Sequence, residues 1–380
     1  MMKILIAADV SRRREGGVAG IVMSYAEGLQ KHGHMVTTLF TDDLLQPDER
    51  RGRFAELNFA SRLADYISRR SDELSIVNLH APAGAVYGFR RRYLRSSGPP
   101  YLMTLHGLEE NRVHALKRED RKGRAWHFGA NNRFWHRVYH QPRFSCAIRT
   151  ADAAHCFSRD VWTLLRLKYD LDDERVACIP NGVAERFFIE RTYHSRPALR
   201  LLYAGTWLDQ RGIFYLREAL PRIFAALPHL RMTFAGPGVP PSEILNFFGQ
   251  AVFVRLDILE TIPWENMPQL YAEHDILLFP SLVEGQPSVV LEAMAGGMTV
   301  VTAETCGMVD PIEHGWSGWL VLPADSAAIE DAVLRLAASA ELREKIGRAA
   351  QARMRRQTWE TAVSRFEEFL VQTEARSKRT

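Results

Sequence analysis

The sequence predicts an α/β protein built from two parallel-sheet domains. Three features lead there: a length of 380 residues, short β-rich apolar runs alternating with helical-period segments, and a restart of that alternation after a polar stretch. Such a length exceeds one ordinary domain and suits two, each large enough to bury its own core. In the first half the runs are KILIAAD, MVTTLF, SIVNLHA and YLMTLHG, then the weaker DAAHCFS and RVACIPNG. Strands separated by helix-length segments are expected of βαβ units. Between the first two runs, Val18, Ile21, Val22, Tyr25 and Leu29 form one apolar stripe of an amphipathic helix, which ends near a C-cap at Gly33. After the polar stretch Glu190 to Arg200 the alternation resumes with LRLLYAGT, LRMTFAGPG, VFVRLDI, DILLFPS, MTVVTAE and GWLVLPAD. The boundary is expected near Arg191, with Tyr193 to Pro197 as linker, giving domains over 1–190 and 191–358. Val363, Phe366 and Leu370 repeat a helical stripe, so a closing helix over 359–375 is expected to pack back on the first domain.

Composition excludes several classes. Charged residues make up 25% and hydrophobic ones 46%, both globular values. No apolar run reaches the ~18 residues of a spanning helix. The N-terminus has one early Lys and an apolar run too short for a signal-peptide core, so it reads as a first buried strand. Cys146, Cys156, Cys178 and Cys306 are widely spaced, with no C-x-x-C pair. This argues against a zinc site or disulfide framework and suits a reducing cytoplasm. Lys plus Arg (49) against Asp plus Glu (45) leaves +4, too mild to diagnose nucleic-acid binding.

The basic residues are clustered nonetheless. Between Asn111 and Arg143 lie Arg112, Lys117, Arg118, Arg121, Lys122, Arg124, Arg133, Arg137 and Arg143, interleaved with Trp126, Phe128, Phe134, Trp135 and Tyr139. FRRRYLR adds Arg90, Arg91, Arg92 and Arg95. This composition suits an anionic membrane surface as partner, each basic residue near it contributing about 1 kcal/mol. It would place the protein peripherally on the inner membrane face. The other reading is a solvated face with core aromatics. No nucleic-acid motif accompanies the charge.

The richest stretch for chemistry is PSLVEGQPSVVLEAMAGGMTVV, Pro280 to Val301. A buried strand runs into a loop carrying Glu284 and Gly285; Pro287 suits the first position of a helix, and Glu292 lies more than a turn inside it. Ligands of open α/β sheets bind at the carboxyl end of the strands. Amides from Gln286 through Ser288 to Val289 could receive a phosphate at the helix start. Taken alone, the pair also reads as two solvated glutamates beside an ordinary turn. His106, next to Gly107, ends the run YLMTLHG, whereas His80, ending SIVNLHA, reads as structural. Gly16 and Gly17 make a turn that lets amides approach an anion, without forming a G-x-G-x-x-G fingerprint. In GTWLDQRG, Gly205 to Gly212, Arg211 can give phosphate a bidentate, charge-assisted pair, and Thr206 offers a hydroxyl. The D-x-D within Asp170 to Asp173 reads as a turn, so no metal is assigned.

Glu284, Gly285, Pro287, Glu292, Ala293, Met294, Ala295 and Gly297 together resemble the E-x7-E signature of retaining GT-B glycosyltransferases, particularly family 4. The resemblance implies two Rossmann-like domains facing across a cleft, with the donor held by the second and the acceptor by the first. It implies that Glu284 contacts hydroxyls of the donor sugar, that Glu292 holds the nucleotide ribose, and that His106 faces the donor sugar. Gly16–Gly17, the HGHMV segment and PNGV (Pro180 to Val183) are similar to family segments in the same order. CGMVDPIEHGWSGWLV is also similar but departs at Cys306 and Asp310, where the family usually has Gly and Glu. GTWLDQRG resembles the G-R-x-x-x-x-K-G diphosphate clamp, with Thr206 at the Arg position and Arg211 at the Lys position, so one cation is missing.

The expected function is transfer of a hexosyl unit from a nucleoside diphosphate sugar to a hydroxyl of a polysaccharide or lipid-linked glycan. The resemblance implies that configuration is retained and that His106, Glu284 and Arg211 carry the chemistry, and neither metal nor cofactor is expected to take part. Two rivals belong to other classes. A nicotinamide-dependent oxidoreductase shares the alternation, but AGPGVP, Ala235 to Pro240, lacks the third Gly of its fingerprint. A non-catalytic nucleotide-sugar-binding scaffold is compatible with the altered clamp.

Overall fold

The computed structural model describes residues 1–12, 17–52, 54–107, 109–126, 128–193 and 199–378. The chain divides into two compact units. The first comprises Met1–Glu110, Ala130–Gly182 and Trp359–Thr380; the second comprises Asn111–Gly129 and Val183–Thr358. Most of the Tyr193 to Pro197 stretch lies outside the described residues.

The first unit holds β1 (Lys3–Ala7), β2 (Met35–Leu39), β3 (Ile76–His80), β4 (Tyr101–Leu105), β5 (Ala153–Cys156) and β6 (Val176–Cys178). They form one parallel sheet in the order β2-β1-β3-β4-β5-β6. β3 and β4 are buried along their whole length, so they are mainly apolar and do not alternate, and their polar members Asn78, His80 and Thr104 are buried too. Successive side chains of β1 serve opposite faces. Leu5 and Ala7 pack with Phe59, Leu63, Val77 and Met103. Ile4 and Ile6 pack with Val22, Tyr25, Leu29 and Phe366.

The closing helix, Trp359–Ser377, lies against the first, Gly17–Lys31. The Tyr25 ring sits 4.5 Å from that of Phe366 and 5.3 Å from that of Trp359. A Cβ on Gly28 would run into Val363, so glycine there sets how closely the two helices approach.

The second unit holds β7 (Arg200–Ala204), β8 (Arg231–Ala235), β9 (Leu256–Leu259), β10 (Ile276–Phe279), β11 (Thr299–Ala303) and β12 (Trp319–Val321). Their order is β12-β11-β10-β7-β8-β9, again all parallel. The run VFVRLDI is not strand throughout. Gln250–Phe253 forms a short helix that buries Val252, and pairing begins only at Leu256, opposite Met232.

The segment Asn111–Gly129 packs within this unit although its neighbours in sequence belong to the other. Buried Glu119 accepts hydrogen bonds from the Tyr215 hydroxyl at 2.6 Å and from Lys122 Nζ at 3.0 Å. Trp126 packs edge-on against Phe214 and Phe247.

In each sheet the strand order reverses once, between β1 and β3 in the first unit and between β7 and β10 in the second. Crossovers leave such a point in opposite directions, opening a crevice outside the strand carboxyl ends. No helix among the described residues is long and apolar enough to cross a membrane.

Candidate active site

In the second unit the loops after β7 and β10 both leave the reversal point. The first carries Gly205, Thr206 and, in the turn Asp209–Arg211, Arg211. The second carries Ser281 to Pro287. One acceptor joins them: the Gln210 carbonyl receives the Leu282 amide at 2.8 Å. Gly212 has φ +76° and lies so close to the Pro280 carbonyl that a Cβ would collide with it. Gly205, at φ +139°, likewise holds a conformation that side chains rarely adopt.

This joining brings Arg211 to Glu284. Arg211 Nη1 lies 2.6 Å from Glu284 Oε1, with side-chain exposures of 20% and 12%. The same oxygen accepts from Ser281 Oγ at 2.8 Å. Burial pushes the Glu284 carboxyl up, against the opposing pull of Arg211 and Ser281. The Arg211 guanidinium stands 5.1 Å from the Phe279 ring centroid, and its Nε is buried without a hydrogen-bond partner. It therefore keeps donor capacity beyond the ion pair. Thr206 is exposed, and its carbonyl accepts from the Tyr203 hydroxyl at 2.9 Å.

The helix after the loop spans Ser288–Ala295, so Pro287 sits at the N-cap, one position earlier than its sequence suggests. With no side-chain cap, the first-turn amides of Ser288 and Val289 point out of the helix unpaired by it. Gln286 is buried beside them and Gly285 is half-buried. Glu292 is held by the Tyr271 hydroxyl, 2.8 Å from Oε2, and by the Trp264 side chain. Burial raises its carboxyl to about 7, with those two donors opposing the rise. Tyr271, Trp264 and Ser281 carry no motif of their own; only the i, i+3 spacing of Ser281 to Glu284 hints at a role.

The departure at Cys306 has a visible consequence. Cys306 takes φ +49°, a left-handed conformation that glycine adopts more readily, and the next amide, Gly307, donates to the Glu284 carbonyl at 3.3 Å. The Glu284 loop is thus supported from a backbone position where a side chain costs about 1 kcal/mol.

In the first unit His106 follows β4 directly and makes a 2.6 Å hydrogen bond, through Nε2, with His80 Nδ1. Burial, reinforced by His155, lowers its imidazole to about 3, so it is a neutral ring. Gly17 opens the helix Gly17–Lys31 rather than preceding it, and Gly16 lies outside the described residues. The Asp170 to Asp173 stretch forms a turn: Asp170 caps the helix Arg159–Tyr169 at φ +54°, and Asp172 accepts from the Arg175 amide at 2.9 Å.

The basic cluster is divided between the units. Arg112, Lys122 and Arg124 meet Gln210, Glu119 and Glu218 in the second, while Arg143 meets Glu56 in the first.

Two parallel doubly wound sheets, each with its own reversal point, fit the GT-B class. The comparisons agree. Residues 15–186 match the family described as Glycosyltransferase Family 4, and residues 198–339 that described as Glycosyl transferases group 1. The chain is a GT-B glycosyltransferase, family 4 in type over its first half and group 1 over its second.

Among relatives, the sulfoquinovosyl transferase of Arabidopsis thaliana is 33% identical over 163 residues, 41% of this chain and 30% of that protein's length. Sucrose-phosphate synthase from Thermosynechococcus elongatus superposes with a TM-score of 0.79 at 17% identity, over 99% of this chain and 100% of that one. HepE of Anabaena, in complex with UDP-glucose, gives 0.69 at 19% identity, over 98% and 100%.

Glu292 makes stability depend on pH. A carboxyl raised from 4.5 to about 7 on folding contributes stability that is complete below its unfolded range and lost as pH rises through about 7. Between about pH 4.5 and 8, wild type should lose on the order of 3 kcal/mol relative to Glu292→Gln. Urea unfolding of both proteins across that range checks this; parallel pH responses would remove Glu292 as the cause.

Proposed function

We propose that the protein transfers a sugar from a nucleoside diphosphate sugar to a hydroxyl acceptor, retaining the donor's anomeric configuration. The observation that carries this reading is the Arg211–Glu284 pair at the reversal point, where Arg211 Nε has no partner and the amides of Ser288 and Val289 are open. A diphosphate needs a cation and N–H donors together. Arg211, Thr206 and those amides supply them, and Gly205 and Gly285 keep the approach clear of side chains. Glu284 accepts from sugar hydroxyls. Glu292, held by Tyr271 and Trp264, accepts from the ribose. The UDP-glucose bound by HepE supports a nucleotide-sugar donor of this kind.

In this reading the bond from the anomeric carbon to the diphosphate oxygen breaks as the acceptor oxygen bonds on the same face. The departing phosphate takes the acceptor proton. Both site glutamates are engaged in holding substrate, so neither serves as nucleophile. His106, neutral and buried, contributes a polar ring without adding positive charge. A relative from Erwinia amylovora named for amylovoran biosynthesis, 41% identical over 80 residues, supports a polysaccharide as acceptor, with a lipid-linked glycan as the other form of the same reading. Exposed Phe134 and Val138, beside exposed Arg133 and Arg137, support an anionic membrane surface as a further partner.

Three measurements test this reading. Arg211→Ala should lower turnover roughly 30- to 1000-fold, about 2 to 4 kcal/mol of transition-state stabilisation, as read by nucleotide release from a panel of UDP-, GDP- and ADP-sugars. Full activity in that variant would assign the diphosphate to another cation. Proton NMR of the product from an α-linked donor, with chelator present, should show an α linkage; a β linkage, or loss of activity on chelation, would overturn the mechanism. The protein should co-sediment with anionic lipid vesicles at low salt and detach as salt rises. Absence of binding at every salt concentration leaves Phe134 and Val138 as ordinary surface residues.

A further inference from the structure

The first unit has its own reversal point, between β1 and β3, and His80 is the last residue of β3. Its side chain is 2% exposed, and its Nδ1 lies 2.6 Å from His106 Nε2, with ring centroids 4.8 Å apart. On another side His106 meets the Phe157 ring at 5.1 Å. These two contacts hold the imidazole in one orientation.

The neighbouring His155 does not share in the pairing. Its Nε2 faces the Ile179 carbonyl at 3.1 Å and must donate. Its Nδ1 therefore accepts from the Thr104 hydroxyl at 3.2 Å, and Thr104 Oγ1 accepts from Asn78 Nδ2 at 2.7 Å. That ladder is complete without His80 or His106. For both of these, the mutual contact is the ring hydrogen bond found among the described residues. Burial, the largest influence on each, lowers both imidazoles, His80 well below its usual range.

A hydrogen bond between two neutral imidazoles holds one proton, so the tautomers are linked. When His106 Nε2 donates, its Nδ1 carries a lone pair; when Nε2 accepts, Nδ1 carries the proton. Whether the remaining nitrogen of His106 is a donor or an acceptor is thus linked to the tautomer of the partner ring.

We propose that His80 is a positioning residue for the transfer reaction, holding the orientation of His106 and linking the tautomer of that ring to its own. This inference rests on the reading of His106 as a site residue.

The test uses the full chain with ¹⁵N-labelled histidine, assigned through His106→Gln. In wild type, one ring nitrogen of His106 should appear protonated and the other not. His80→Leu should average the two signals. His80→Asn, whose side-chain amide can again hydrogen-bond His106 Nε2 as donor or acceptor, should restore the ring's orientation and signals unlike the averaged ones of His80→Leu. Hydrolysis of UDP-glucose should follow: kcat falls roughly tenfold in His80→Leu with little change in KM, and recovers in His80→Asn. An unchanged His106 tautomer in His80→Leu overturns the inference, and so does equal impairment of the two variants. A His106→Gln variant with full turnover would instead overturn the assignment of His106 to the site, while the tautomer measurement still decides the pairing.

Discussion

Everything at the candidate donor site depends on the reversal of strand order between β7 and β10. Because the crossovers from these adjacent strands depart in opposite directions, a crevice opens outside their carboxyl ends. Two loops are left there, and a single carbonyl, that of Gln210, binds one to the other. The joint is tight enough to require glycine at position 212. Without it, Arg211 and Glu284 would be two charged residues about 70 positions apart, each paired with water.

That closeness changes the chemistry of the charges. An exposed arginine and glutamate would contribute little to stability or binding. Here both are largely shielded, Phe279 lies under the guanidinium, and Ser281 occupies one carboxylate oxygen. Glu292 responds more strongly, because its partners are the neutral Tyr271 and Trp264 rather than a cation. Two carboxyls eight positions apart thus differ in what offsets their burial. In the proposed reading, Thr206 at the position of a cation leaves diphosphate recognition to Arg211 and the first amides of the helix Ser288–Ala295.

The first unit solves a related problem without charge. His80, His106 and His155 cluster at the carboxyl ends of β3, β4 and β5, in surroundings that keep their rings neutral. The hydrogen-bond ladder from Asn78 through Thr104 to His155 satisfies buried polar atoms that would otherwise destabilise the sheet.

Much of this was legible in the residues. Twelve apolar runs correspond to the twelve strands among the described residues because strands of a covered parallel sheet are mostly apolar, the central ones most of all. The stripes of the first and last helices were visible for the same reason, and the E-x7-E segment carried its family likeness in local spacing. Periodicity could not show that Gln250–Phe253 turns into a helix, since a short apolar run fits either state. Nor could it show that Asn111–Gly129 joins the second unit, which depends on Glu119, Tyr215 and Trp126 meeting across nearly a hundred positions. The sequence by itself determined most of the strands and placed Glu284 in a loop and Glu292 inside the helix that follows, all of which follow from local pattern. Only the tertiary structure decided which donors each glutamate meets, that Cys306 occupies a left-handed position behind Glu284, and that His80 is the partner of His106. Those pairings arise where separate strands end side by side, and strand order is set by packing between distant segments rather than by any one of them.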